Sequence, residues 1–112
     1  MPKFISLQRE GSPPLKARLA DTFLARFLGL MGQKGLPPGE GLLLSPCSSI
    51  HMLFMRFPID AVYLDSHCRI LKIVPRLPPW RGLSFCPGAR ACLEIGAGEA
   101  AKLGWQAGDI LH

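Results

Sequence analysis

Cys47, His51 and Met55 follow one another at intervals of four residues, and a thiol, an imidazole and a thioether are soft or borderline ligands that suit copper or zinc. Geometry decides what that spacing can do. On a helix, residues four apart lie about 6 Å from each other along the axis. On a strand they lie about 13 Å apart, beyond the span of one metal ion. Ile50–Met55 is short and apolar and stops at Phe57–Pro58, so it reads as a strand. The metal reading thus shrinks to Cys47 and His51. A backbone-bonded histidine and a core methionine are the plainer account.

Asp60 is the second unusual residue, set in the apolar run IHMLFMRFPIDAVYLD between Pro58-Ile59 and Ala61-Val62-Tyr63-Leu64. A carboxylate there can accept backbone N–H bonds and fix a turn, or pair with Arg26 or Arg56. As a catalytic acid or base it needs a second titratable group, for which His51 is the candidate. Thiol catalysis needs a cysteine of low pKa beside a base. His67 and Cys68 are adjacent in sequence and would point apart on a strand, and Cys47 and His51 are too distant if extended. Glu94, between Leu93 and Ile95, is expected either to face solvent or to enter an ion pair with Arg56 or Arg26. Gly96 and Gly98 before Glu99 read as helix punctuation, because Glu99 would repel a phosphate.

The segment from Arg76 to Phe85 offers the best binding surface. Its prolines lower the cost of ordering it, and Trp80 with Arg81 carries the chemistry common at the centres of interfaces. The alternative is a lid packed down by Trp80. Together with the basic face at His51, Met55, Arg56 and Asp60, this loop suits a protein partner or a small anion. Arg56, Arg69, Lys72, Arg76, Arg81 and Arg90 are opposed in that half only by Asp60 and Asp65. The charges stand singly and form no nucleic-acid motif, so nucleic acid is not the expected partner.

These residues need a frame. Lys3–Gln8 and Leu15–Leu19 read as two strands around the turn Gly11–Pro14. A helix follows, capped at Asp21 or Thr22, with Phe23, Phe27 and Leu30 on one face. Leu42–Leu44, Ile50–Met55, Ile59–Leu64, Arg69–Val74 and Ala91–Ile95 read as strands, with Asp65–Cys68 as a hairpin connection. Pro75–Gly88 reads as a long ordered loop, Gly96–Gly104 as a short helix, and Asp109–Leu111 as a closing strand. The expectation is one α+β domain over residues 1–112: a small β-barrel-like, mostly antiparallel twisted sheet with two short helices.

The bulk numbers agree. A chain of 112 residues with 48% hydrophobic and 19% charged residues can bury one core, and 12 glycines with 11 prolines favour short elements. No apolar stretch of signal-peptide length follows Lys3, and the greasiest window, Leu42–Phe57, is too short and too interrupted to span a bilayer. A cytoplasmic location is expected. Cys47, Cys68, Cys86 and Cys92 show neither a CxxC pair nor zinc-finger spacing, so they are expected as free thiols or buried hydrophobes.

Several segments in order carry a resemblance. They are Arg26-Phe-Leu-Gly-Leu-Met-Gly32, Gly39-Glu-Gly-Leu-Leu43, His51-Met-Leu-Phe-Met55, Pro58-Ile-Asp60, Tyr63-Leu-Asp65, Leu93-Glu-Ile-Gly-Ala-Gly98 and Gly108-Asp109. The chain in this respect resembles the bacterial and archaeal family called domain of unknown function 192. The resemblance implies a barrel-like α+β domain and carries no reaction or cofactor with it. Two functions are therefore expected to compete: a non-enzymatic binding or accessory module, and a small metal- or thiol-dependent enzyme using Cys47, His51 and Asp60.

Overall fold

The computed structural model describes residues 3–22, 26, 30, 33–52, 54–80 and 82–112. Strands β1 (Lys3–Leu7), β2 (Leu15–Ala20), β3 (Glu40–Leu44), β5 (Ile59–Leu64), β6 (Ile70–Leu77) and β8 (Ala91–Gly96) form one sheet in the order β1-β2-β3-β8-β5-β6. β4 (Ser49–His51) and β7 (Leu83–Phe85) form a separate two-stranded antiparallel ribbon. In the large sheet every neighbouring pair is antiparallel except β2 and β3. A parallel pair needs a crossover. Residues 21–39 supply it, and the helix expected there lies mostly outside the described residues. Arg26 is described: it is helical, and its N–H donates to the Thr22 carbonyl at 2.9 Å.

β5 and β8 are neighbours inside the sheet with both faces covered, which is why IDAVYL and ACLEI are buried at every position and show no polar alternation. Alternation along the strands divides the core in two. Ile59, Ala61, Tyr63 and Cys92 face an inner cluster closed by Ile50, Met52, Met55 and Cys86. Val62, Leu64, Leu93 and Ile95 face an outer cluster closed by Ala100, Trp105 and Leu111. The expected barrel is not formed, because β1 and β6 remain the edges of the sheet. The closing strand expected at Asp109–Leu111 is reduced to isolated bridges, Arg9 with Leu111 and Arg69 with Ile110. The C-terminal segment thus lies between the two edges and takes up some of their free backbone groups.

Two other expectations change. The strand at Ile50–Met55 ends at His51, since Met55 N–H bonds back to the Met52 carbonyl and Phe54 takes a φ of 64°. The loop expected at 75–88 begins inside β6, which runs past its bulge to Leu77, and contains β7, whose three residues are too few to show a period. One helix is described over its whole length, α1 (Glu99–Lys102), introduced by Gly98 at φ 88°.

β5 and β6 are out of step beside Asp60. Ile59 faces Leu77 and Ala61 faces Val74, so β6 carries one extra residue in a bulge. Pro75 has no N–H to offer there, which an edge strand tolerates. Arg76 has a φ of 50°, and its N–H donates to Asp60 Oδ1 at 3.0 Å. The same carboxylate accepts from Gly98 N–H, 3.1 Å from each oxygen, and from Ala100 N–H at 3.0 Å. Asp60 is 1% exposed, so these three donors replace its water. Asp60→Ala would leave three backbone N–H groups without an acceptor, and urea denaturation is expected to show a loss of about 3 kcal/mol or more. A loss below about 1 kcal/mol would mean that water enters and replaces the carboxylate.

Candidate functional site

The residues singled out by sequence do not converge on one cleft. Cys47 is half-buried against the inner cluster, and its thiol donates to the Ser49 carbonyl at 3.1 Å. Asp60 has the parity of Val62 and Leu64 and lies on the outer side of the sheet, bonded to the α1 turn. Cys47 and Asp60 are thus on opposite faces, and the three-residue site with His51 is not assembled. Met55 is a core residue and not a surface one, because the turn that ends β4 folds it inward. No group of three metal-binding side chains occurs among the described residues. Arg81 lies outside the described residues.

Burial raises the Cys47 pKa, and the Glu94 charge adds to the effect while Arg26 opposes it. Such a thiol stays protonated near neutrality, unlike an activated nucleophile. Burial also pushes Cys92 and Tyr63 upward, and the Tyr63 hydroxyl is within 3.0 Å of Ser84 Oγ. All four cysteines are free.

Glu94 departs most from its sequence reading. It is 5% exposed, on the inner face with Cys92, and its neighbours in register are Leu42 and Ala61. Neither expected arginine pair forms: the one ion pair among the described residues joins Arg9 and Asp109 at 3.9 Å. Desolvation alone lifts its pKa from 4.5 to about 7. Both faces of β8 are apolar, so alternation in the sequence could not show which way Glu94 points.

His51, Arg56 and Trp80 are exposed. In the ribbon His51 faces Leu83 and Ser49 faces Phe85, while Ile50 and Ser84 turn inward. Trp80 N–H bonds to the Met52 carbonyl at 2.7 Å, and its ring meets Phe54 edge to face with centroids 5.2 Å apart. Phe54, Trp80, Leu83 and Phe85 are 58%, 53%, 68% and 61% exposed. Phe54 and Trp80 hold φ values of 64° and 69°, a region that bulky residues rarely occupy. Gly82 locks the base of this surface: a Cβ there would lie 2.6 Å from Met52 Cγ and 2.7 Å from the Pro78 carbonyl oxygen. The Arg76–Phe85 segment expected as a binding surface contains Trp80, Leu83 and Phe85, whereas Phe54, set in an apolar run, carried no signal of its exposure.

A second feature lies on the outer face, where the β6 bulge and α1 enclose a groove that Asp60 and Arg76 both line. The site residues therefore fall into two places: an apolar ribbon carrying His51 and Trp80, and a groove carrying Asp60 and Arg76.

The fold and these surfaces define a small α+β domain with an open, mostly antiparallel sheet. The chain belongs to the family called domain of unknown function 192, described as Uncharacterized ACR, whose model it matches over residues 5–112. It is similar to a UPF0127 protein of Pyrococcus furiosus, 33% identical over 103 residues, with 88% of this chain and 86% of that protein covered. A UPF0127 protein of Pyrococcus horikoshii is 38% identical over 81 residues, covering 68% of this chain and 66% of that protein, just under two thirds of its length. A protein of unknown function from Novosphingobium aromaticivorans shares the fold, with a TM-score of 0.87 at 23% identity over 100% of this chain and 92% of that one. No helix among the described residues is long and apolar enough to cross a membrane.

Two outcomes follow for this region. Because the folded pKa of Glu94 exceeds its ordinary value, its contribution is most favourable below pH 4.5 and is lost as pH rises through about 7. Urea midpoints across that range should fall by the equivalent of about 3 kcal/mol in the wild type, and Glu94→Gln should flatten the fall. Gly82→Ala should cost about 1–3 kcal/mol by overpacking and loosen the ribbon, seen as faster amide exchange at Met52 and Trp80.

Proposed function

We propose that this protein is a non-enzymatic binding module whose partner is another protein, engaged through the ribbon surface of Phe54, Trp80, Leu83 and Phe85. The exposure of these four large apolar side chains, two on the ribbon and two paired with each other on the turns that bond to Met52 and follow it, carries the reading. Each is only a little more than half exposed, so covering it would return roughly half of the ~1.5–3 kcal/mol that full burial of such a side chain gives. Two of them also hold backbone angles costing about 1–3 kcal/mol each. A monomer gains nothing from that arrangement; a partner that covers the patch recovers it.

The charge around the patch suggests the partner's character. Arg56, two residues after Phe54, is exposed, and Lys72 Nζ bonds the Phe85 carbonyl at 3.2 Å, in a chain of net charge +5. An acidic segment presenting an apolar anchor complements this surface, with the anchor supplying affinity and the charges supplying rate and selectivity. The same reading places the protein in the cytoplasm, where its four free cysteines stay reduced.

The test compares affinity capture by the wild type and by Trp80→Ala/Leu83→Ser, read by quantitative mass spectrometry and followed by titration with the purified partner. Both changes are at exposed positions, so the fold should survive, and circular dichroism checks it. Binding should fall by about 100-fold or more in the double variant. Equal capture by both proteins contradicts the proposal.

A further inference from the structure

The groove on the outer face is a separate feature from the ribbon. Its volume is about 410 Å³, within the size range of small-molecule sites. Ile73, Pro75, Ala101 and Trp105 give it apolar walls, and Arg76 and Gln106 are its polar side chains with room for new bonds. Asp60 also lines it, but that carboxylate is buried and accepts three backbone N–H bonds. Glu99, on the neighbouring turn, accepts from Gly39 N–H.

Arg76 differs from these groups. Its backbone N–H is held by Asp60, while its guanidinium has neither an acceptor nor an ion-pair partner among the described residues. The bulge, with its left-handed φ of 50°, sets the side chain against the turn at Gly98, where Nη2 lies 3.3 Å from the position of a Cβ on that glycine. An exposed cation whose backbone is held in place thus stands at a mostly apolar groove.

We propose that this groove binds a small monocarboxylate with an apolar body, the carboxylate on Arg76 and the body against Ile73, Pro75, Ala101 and Trp105. A guanidinium fork pairs with a carboxylate through two parallel N–H bonds. Asp60 disfavours higher charge: its carboxylate under the groove offsets much of the guanidinium's field, so a second negative charge on the ligand adds repulsion while the two N–H bonds to one carboxylate remain. The apolar walls add burial that a bare inorganic anion cannot use.

Trp105 reports on occupancy. The chain has two tryptophans, so Trp80→Phe leaves Trp105 as the only one. In that protein, titration with octanoate should give a saturable shift of Trp105 emission, and octylamine and inorganic phosphate should give none. Arg76→Asn keeps the left-handed bulge, since asparagine tolerates positive φ, and should weaken octanoate binding about tenfold or more. Ala101→Glu, at an exposed position of α1, should remove binding by filling and charging the groove. Circular dichroism of each variant confirms the fold. The proposal is overturned if octanoate gives no saturable shift, if octylamine or phosphate matches it, or if both variants bind octanoate as the parent does. The outcome is independent of the ribbon, whose partner titration is unaffected by Arg76→Asn.

Discussion

The Asp60 carboxylate is the interaction on which the other features of this domain depend. A bulge at the sheet edge leaves a strand with one residue too many, and here Pro75 and Arg76 fill that place. Only Arg76 has an N–H, and Asp60 accepts it together with those of Gly98 and Ala100. One buried charge therefore ties the edge strand to the centre of the sheet and fixes the start of the short helix. A four-residue helix has little stability of its own, so this anchoring is what keeps it in place. The position of Arg76 over the groove follows from the same bonds. A carboxylate so fully occupied is poorly placed to shuttle protons as well, which weakens the catalytic alternative for Asp60 on physical grounds.

The two faces of the sheet are finished differently. The outer face is sealed by Trp105, Ala100 and Leu111, with the C-terminal segment bridging both sheet edges. The inner face is closed by the β4–β7 ribbon, which buries Ile50 and Ser84 and turns Leu83 and Phe85 to solvent. A two-stranded ribbon always has a second face, and it is usually polar in a soluble monomer. Here it exposes Leu83 and Phe85 beside Ser49 and His51, and the strained Phe54–Trp80 pair adds two more exposed rings. The cost falls on the isolated chain, and the binding-module reading rests on that imbalance.

Much of the frame was legible in the sequence, and the failures have physical causes. The β1–β2 hairpin, the central strands and the Asp65 turn follow from local patterns; Asp65 Oδ1 accepts the N–H groups of His67 and Arg69, as a turn aspartate does. The ribbon was hidden because β4 and β7 are three residues each and lie among prolines and glycines. The open sheet was hidden because closure depends on how two distant edges meet, which no local pattern encodes. Site residues were legible by type but not by side. Asp60 stood out as an odd carboxylate, yet its separation from Cys47 depends on strand parity across the bulge. Glu94 looked ordinary because apolar residues flank it on a strand covered on both faces.

The central claim is that the ribbon surface meets another protein in the cell. Site-specific photo-crosslinking in living cells tests it most directly, with the reactive residue placed in turn at Trp80, Leu83 and Phe4. Phe4 is a half-exposed aromatic on β1, away from the ribbon, and serves as the control. The same adduct with one other protein is expected from positions 80 and 83, and none from position 4. Adducts absent from 80 and 83, or formed equally from all three positions, would contradict it.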